Sequence, residues 1–179
     1  MGLRFYKPNK AVKGVACHLF FNSKIDDNNK AGSVFLEVIS QTGWDETKKS
    51  GTFSNGDQGV VKFSPTEVSL FRGCLRERLA LKELNGGSAL YHTSPDADTS
   101  IDFLPYIREG KFIGFSMFIS RKGKGKNAGK NKDWRVGFTI PEMYLLEEYF
   151  RFSLEHIFSG LYSADIKKYK DATSGKTDE

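Results

Sequence analysis

The sequence predicts an α+β fold built from a duplicated β-β-β-β-α unit, and two observations lead to it. From Trp134 to Ile140, apolar and polar residues alternate with the period of a strand, and a long apolar helical pattern follows. The stretch from Val61 to Phe71 contains the same strand-to-helix transition, 75 residues earlier and without a gap. Chance recurrence of a common helix cap is the alternative, but it leaves the matching strand and helix patterns unexplained.

The first repeat is predicted over residues 14–84, after a basic N-terminal arm over residues 1–13. Its helix is expected to begin after Ser64, because Pro65 suits a first turn and Glu67 can bond back to the cap. Four strands are expected before this helix, and only the third has bounds that the pattern does not fix: Gly14–Asn22, Ser33–Gln41, one within residues 42–59, and Val60–Phe63.

The second repeat is predicted over residues 87–162, followed by a polar C-terminal tail over residues 163–179. Its strands are expected at Ser88–Thr93, Ser100–Tyr106, Lys111–Arg121 and Trp134–Ile140. Short hairpins between these strands, such as the one at Arg108–Gly110, favour two antiparallel four-stranded sheets over parallel crossovers.

The last helix is too apolar to be covered by one sheet. Large side chains lie around most of its circumference, and a helix of this kind is buried by more than one neighbour. We therefore expect the helices to pack at the centre of an oligomer, with an interface that includes Tyr149, Phe152 and Phe158.

Charge and aromatic content make nucleic acid a candidate partner, and leave an anionic membrane surface and an acidic partner open. The formal net charge is +5, the pI is about 9.1, and aromatic residues make up 13% of the chain. The loop over residues 121–135 carries seven basic residues and one Asp. This loop either binds the phosphates of a strand beside a sheet, where its lysines release counterions, or only keeps the protein in solution. Its position between two strands favours phosphate binding.

Strand alternation also places aromatic side chains opposite the core. Outward-facing rings on neighbouring strands form a surface on which unpaired bases stack, unless a subunit or a helix buries that face. The predicted nucleic-acid-binding residues combine such rings with the basic loop: Lys13, His18, Phe20, Phe35, Trp44, Tyr91, Phe112, Phe118, Arg121, Lys122, Lys124, Lys126, Lys130, Lys132 and Arg135.

Other function classes have little support. Cys17 and Cys74 are far apart, and the three histidines are isolated, so neither a metal site nor a cofactor is expected. The densest acidic group, at residues 96–102, is explained by turn chemistry, so we expect no enzyme; a nuclease is the weakest alternative. No secretory, transit or membrane segment is seen, which predicts an intracellular protein of the cytoplasm or nucleoid.

Four stretches resemble the Whirly family of single-stranded-DNA-binding proteins, relatives of the coactivator positive cofactor 4. Val12–Cys17 is similar to the family's Lys-Gly-Lys-Ala-Ala-Leu strand, and Val61–Val68 resembles the strand-to-helix entry of its first repeat. Gly87–Pro95 resembles Gly-Ser-Cys-Glu-Phe-Phe-His-Asp-Pro, and Phe138–Glu142 resembles the closing repeat.

The resemblance implies a homotetramer whose helices pack at the centre and whose sheets splay outward. It also implies sequence-independent binding of single-stranded DNA, in support of DNA replication, recombination, repair or transcription. Single-stranded RNA binding, in RNA processing, stays open, because only contacts to the 2′-OH separate the two and a sequence does not reveal them.

Overall fold

The computed structural model describes residues 2–22 and 32–174, with the backbone alone at 54–57 and 171–174. Two four-stranded antiparallel sheets are each followed by a helix, which confirms the predicted α+β fold and its duplication. Sheet A has the order β1-β2-β3-β4 and sheet B the order β5-β6-β7-β8. The elements are β1 Gly2–Lys7, β2 Val15–Asn22, β3 Ser33–Asp45, β4 Ser50–Phe63, α1 Pro65–Glu77, α2 Leu81–Leu84, β5 Leu90–Thr93, β6 Ala97–Arg108, β7 Lys111–Gly123, β8 Lys132–Thr139 and α3 Ile140–Ser174.

The predicted N-terminal arm over residues 1–13 is wrong for residues 2–7. Residues 2–7 form β1, an edge strand that pairs with β2 and places Phe5 opposite Cys17. Phe5 is 6% exposed and its ring meets Phe138 of sheet B at 5.1 Å, edge to face. Strand pairing with β2 and the buried Phe5 ring hold this short basic segment on the sheet. Met1 lies outside the described residues.

The predicted third and fourth strands of repeat one are a single strand, β4. Its partner β3 continues to Asp45, past two register shifts that flank Gln41. The side-chain amide of Gln41 bonds backbone groups of the loop between β1 and β2 and of Gly43. Its Oε1 accepts from Asn9 N (2.9 Å) and Gly14 N (3.1 Å), and its Nε2 donates to Asn9 O (2.9 Å) and Gly43 O (2.8 Å). A buried amide with four partners costs little and fixes the loop before β2.

Both helix starts form as the sequence predicts. Ser64 accepts from Glu67 N at 3.3 Å, while Glu67 Oε2 accepts from Ser64 N at 2.8 Å, which completes a capping box. At the second site, Glu142 Oε2 accepts from the N–H and the hydroxyl of Thr139, both at 2.8 Å. The first helix ends at Glu77, because Arg78 adopts a left-handed conformation (φ 56°).

The predicted polar tail over residues 163–179 is also wrong in part, because α3 continues to Ser174. No proline interrupts it, and Tyr162, Ile166 and Tyr169 keep a helical spacing, although their exposed fractions are 69%, 38% and 73%. Residues 175–179 lie outside the described part of the chain. None of the described helices is both long and apolar enough to cross a membrane.

The core lies between the inner faces of the two sheets and the helices. Phe71 of α1 meets Phe63 of sheet A at 4.9 Å, Phe103 of sheet B at 5.5 Å, and Phe150 of α3 at 6.0 Å. All four rings are fully buried. Each ring contributes roughly 1.5–3 kcal/mol to folding. Because the rings come from both repeats, they join the repeats in one core, and the opposite face of each sheet points away from it.

Candidate nucleic-acid interface

Phe20 and Phe35 form a stacked ring pair on the outer face of sheet A. They are direct partners in the β2–β3 register, and Lys62 of β4 follows Phe35 in the same row. Their ring centroids are 5.1 Å apart with 8° between the planes, and His18 lies 5.3 Å from Phe20. Both rings are only half-buried. We call Phe20, Phe35 and His18 the sheet A platform; it confirms the predicted outward placement of all three.

Strand alternation explains the platform. Leu19 and Leu36 point into the core with exposures of 1% and 0%, so their neighbours Phe20 and Phe35 must point outward. Antiparallel pairing then places the two outward rings directly opposite each other. Two large apolar side chains on an open face, beside a lysine, are typical of a surface that receives a flat apolar partner.

A second aromatic group lies on the outer face of sheet B. The Arg135 guanidinium lies 4.8 Å above the Phe118 ring and 5.4 Å from the Tyr106 ring. Phe118 and Arg135 are neighbours in the β7–β8 register, and Asp102 lies on the other side of Phe118. We call Tyr106, Phe118 and Arg135 the sheet B cluster. It presents a cation and two rings together, a combination that suits both phosphates and bases.

Phe112 does not belong to this outer face, which corrects the prediction. Ile113 has no partner on β6, because the register passes from Tyr106–Gly114 to Ile107–Phe112. This extra residue is a β-bulge, and it reverses the alternation before Gly114 (φ 146°). Phe112 therefore packs toward the core, 5.8 Å from Phe115 and under the guanidinium of Arg78 at 5.0 Å.

The basic loop folds back on the turn between β5 and β6. Lys124 N donates to Asp96 O at 2.9 Å, and a short 3-10 turn follows at Gly125–Asn127. The Lys124 ammonium binds the carboxylate of Asp98 and the hydroxyl of Thr93. Together with Thr93 and the Tyr91 hydroxyl, it lowers the pKa of Asp98 to about 2. Lys124 is therefore partly neutralised, whereas Lys122 and Lys126 are exposed.

Two residues of the predicted basic set lie on the opposite side of sheet B. Arg121 and Lys132 are paired in the register and follow the core residues Ile119 and Trp134 in alternation, so they point toward the inner side. With Lys130 they line a cleft of about 170 Å³ that also contacts Gln58 and Asp96. The loop thus divides its charges between two surfaces, and nucleic-acid binding by Arg121, Lys130 and Lys132 stays a prediction.

The remaining predicted residues lie apart from the platform. Trp44 is half-buried near the far end of β3, opposite Gly51 and nine positions beyond Phe35, or roughly 30 Å along an extended strand. Lys13 is exposed in the loop before β2. Tyr91 is 63% exposed beside Asp98, whose hydrogen bond raises the pKa of the Tyr91 hydroxyl.

The described residues contain no group of three or more His, Cys, Asp or Glu side chains that could hold a metal ion. Both thiols are buried, and burial raises the pKa of Cys17 to about 12 and that of Cys74 to about 11. These thiols are therefore weak nucleophiles at neutral pH.

Comparison with known proteins identifies the architecture. No family model and no curated protein matches the sequence. Among solved structures, WHY1 from Arabidopsis thaliana matches with a TM-score of 0.65 and 16% identity over 100% of this chain and 96% of that one. The plant transcriptional regulator PBF-2 matches at 0.64, with 14% identity over 94% and 87%. The chain has the Whirly fold. A further match is a guideRNA-binding protein complex bound to a gRNA, at 0.54 with 15% identity over 87% and 90%.

Within this Whirly fold, the predicted interface residues of α3 have three different environments. Tyr149 is 9% exposed and donates its hydroxyl to Leu19 O at 3.1 Å, so it belongs to the core of the chain and not to a free face. Phe152 is half-buried against Phe21 at 5.8 Å. Phe158 is 54% exposed. The prediction is therefore wrong for Tyr149 and is left untested for Phe152 and Phe158.

The exposed side of α3 is less apolar than its sequence suggests. Arg151 binds Glu148 (2.9 Å) and Glu155 (2.6 Å), so an ion network covers the middle of that side. Large exposed apolar side chains lie on either side of this network, with Tyr144 and Leu145 before it and Phe158 and Tyr162 after it.

Sequence reasoning misses two residues of the outer faces. Tyr106 is 38% exposed and belongs to the sheet B cluster, whereas the sequence pattern marks it only as the end of the predicted strand Ser100–Tyr106. Lys62 continues the platform row, whereas the sequence pattern places it within a four-residue strand. Cross-strand register, which the sequence does not give directly, is the signal that identifies both.

Proposed function

We propose that this protein binds unpaired nucleic-acid strands along the outer faces of its two sheets. The observation that carries the proposal is the half-buried stack of Phe20 and Phe35 on an open sheet face. A stacked ring pair offers its exposed edges and faces to bases, and base–aromatic stacking contributes roughly 1–3 kcal/mol per base. Duplex DNA hides its base faces, so a surface of this kind favours single strands.

Cations around these rings suit a phosphate backbone. Lys62 lies next to the sheet A platform, and Arg135 is the cation of the sheet B cluster. Lys122 and Lys126 are exposed on the adjoining loop. These four cations suit the phosphate backbone, which is the same for every sequence. We therefore expect affinity that depends little on sequence overall and falls steeply with salt, since counterion release supplies much of it.

Single-stranded DNA is the first candidate ligand, with a role in DNA replication, recombination, repair or transcription. The shared fold with the plant transcriptional regulator PBF-2 supports this choice. Single-stranded RNA is the second candidate, because the same fold occurs in a guideRNA-binding protein complex bound to a gRNA. The two differ in the 2′-OH, so matched DNA and RNA strands distinguish them.

A homotetramer with α3 at its centre is part of the proposal. Leu145 and Phe158 are 51% and 54% exposed on α3, and pairing with symmetry mates would remove them from water. Adjacent subunits would then align their sheet faces into a longer track for one strand.

A competition experiment tests the function. A labelled single-stranded DNA is bound first, and unlabelled single-stranded DNA, duplex DNA and single-stranded RNA of equal length then compete at several salt concentrations. The proposal predicts that single strands compete far better than duplex and that affinity falls steeply with salt. Equal competition by duplex, or a preference for one duplex sequence with a shallow salt slope, contradicts it.

A further inference from the structure

The outer face of sheet A contains a hollow beside the platform. It lies over Ala16 of β2, whose methyl group leaves a gap between the larger side chains of the flanking strands. Tyr6 of β1 and Ile39 of β3 are the register partners of Ala16 and form its two walls. The hollow has a volume of about 270 Å³. Tyr6 is held in place by its hydrogen bond to Gly51 O (2.5 Å) and by its contact with Phe53 at 4.9 Å.

Three polar side chains form one end of the hollow. Arg4, His18 and Glu37 occupy the next outward row, in that order across the three strands. The Arg4 guanidinium has no hydrogen-bond or ion-pair partner within residues 2–22 and 32–174. It is therefore a free planar donor group at the edge of an apolar hollow.

Glu37 has one oxygen engaged and one available. Its Oε1 accepts from Gln58 Nε2 at 2.8 Å, which orients the carboxylate. Its Oε2 lies 3.6 Å from His18 Nδ1, beyond a hydrogen bond. The side chain is 27% exposed, so a ligand in the hollow reaches this oxygen.

We propose that this hollow binds a guanine base of the unpaired strand. Guanine carries adjacent N–H donors on one edge, which suit the Glu37 carboxylate, and the O6 and N7 acceptors on another, which suit a bidentate arginine. Arg4 and Glu37 stand two strand spacings apart, about 10 Å, at the two corners of the polar end of the hollow, with His18 between them. No other base carries N–H groups on two adjacent positions, as guanine does at N1 and the 2-amino group, together with the O6 and N7 acceptor pair. The inference rests on the proposed function and adds a base preference to it.

The position of the hollow fits a strand that already stacks on the platform. Ala16 and Phe20 lie four residues apart on β2, which is about 13 Å along the strand. A single-stranded segment held at Phe20 and Phe35 therefore passes over the hollow within a few nucleotides. One guanine in such a segment would enter it, while the remaining contacts stay independent of sequence.

Fluorescence anisotropy with modified oligonucleotides tests the proposal. A thymidine strand of about 20 nucleotides, longer than most single-module footprints, is compared with the same strand carrying one central guanine, inosine, 7-deazaguanine or adenine. We expect the guanine strand to bind about tenfold more tightly than the thymidine strand. Inosine lacks the 2-amino group that would meet Glu37, and 7-deazaguanine lacks the N7 that would meet Arg4, so each loses part of the preference.

Variants locate the effect. Glu37→Gln should make guanine and inosine equal, whereas Glu46→Gln, an equal change of charge at an exposed turn, should leave the preference intact. Ala16→Leu fills the hollow and should abolish the preference; Arg4→Gln provides a second test at a fully surface position if the leucine disturbs folding.

The outcomes separate the two proposals. Equal affinity for guanine and thymidine strands, with both bound, overturns the guanine site and leaves single-strand binding in place. A preference that survives both Glu37→Gln and Arg4→Gln also overturns the site. Failure of every strand to bind overturns the proposed function and the guanine site together.

Discussion

Arg72 and Glu147, which occupy the same position in the two repeats, bind each other. Arg72 donates from Nη2 and Nε to Glu147 Oε1 at 2.7 and 3.0 Å, and the two residues are 75 positions apart. Glu67 and Glu142 of the two helix caps have the same offset. A position that contacts its own counterpart lies near the axis that relates two copies. The two repeats therefore pack around an internal two-fold relationship, with α1 against α3.

Exchanging this pair tests the internal symmetry. Arg72→Glu places two carboxylates together and should lower the free energy of unfolding by about 1.5–3 kcal/mol. The exchanged double variant, Arg72→Glu with Glu147→Arg, should recover most of that loss, because the two positions are equivalent. Urea denaturation of the wild type, Arg72→Glu, Glu147→Arg and the double variant measures the coupling energy in a double-mutant cycle. A double variant no more stable than Arg72→Glu contradicts the account.

Each cap carboxylate also joins its repeat to the other sheet. Glu67 binds its own cap through Oε2 and His92 of β5 through Oε1, at 2.6 Å to the ring nitrogen. Glu142 binds Thr139 through Oε2 and Lys7 of β1 through Oε1. A capping residue that also binds a side chain of the other repeat's sheet couples helix initiation to the packing of the two repeats.

These contacts predict a loss of stability in acid. Burial raises the pKa of Glu67 and of Glu142, but hydrogen bonds from His92 and Ser64, and from Lys7 and Thr139, outweigh it and leave both values below the ordinary 4.5. Because the folded-state pKa is depressed, the contribution is present above the ordinary pKa and is lost as the pH falls through the folded-state value.

Glu67→Gln provides the measurement. The variant should lose about 0.5–2 kcal/mol of unfolding free energy near neutral pH, and the difference from wild type should shrink as the pH falls below the ordinary carboxyl value. Unfolding curves at a series of pH values give this difference directly. A difference that stays constant down to the most acidic point contradicts the assignment.

Local patterns predict much of this fold, while features set by cross-strand register escape them. Both helix caps and the outward Phe20 and Phe35 follow from neighbouring residues alone. Phe112 is misplaced by simple alternation because the bulge at Ile113 depends on how β7 pairs with β6. Tyr149 looks like a subunit-interface residue from the sequence because a helical stripe does not tell which neighbour covers it.

The basic loop offers a graded prediction. Replacing Lys122, Lys124, Lys126 and Lys130 together by Gln should weaken strand binding and lower the salt slope, by about one for each phosphate that the variant no longer neutralises. Of the single changes, Lys122→Gln should have a larger effect than Lys130→Gln, because Lys130 lines the inner cleft. The midpoint of thermal unfolding should not change, since exposed ion pairs such as that of Lys124 contribute little to the free energy of unfolding.

A charge-matched control separates the role of this loop from that of the overall charge. Changing Lys48, Lys49, Lys167 and Lys168 to Gln removes four exposed positive charges elsewhere in the chain. Equal losses of affinity in the two quadruple variants would show that the loop contributes only through the net charge of the protein.

Assembly should depend on the exposed ends of α3. Phe158→Glu places a charge on an open apolar position and should give smaller species that remain folded and bind single strands much more weakly. Tyr149→Glu should instead unfold the protein, because that residue is buried against sheet A. Light scattering with circular dichroism distinguishes the two; a wild-type protein that is monomeric at micromolar concentration and binds fully contradicts the tetramer.

The central claim is that unpaired bases stack on the sheet A platform. The most direct measurement is an equilibrium titration of single-stranded DNA with the Phe20→Ala/Phe35→Ala variant, beside Leu79→Ala, which removes an exposed apolar side chain between α1 and α2. At roughly 1–3 kcal/mol per stacked base, the double variant should lose about tenfold or more in affinity while it remains folded by circular dichroism, and the control should bind as wild type. Wild-type affinity in the double variant would contradict the account.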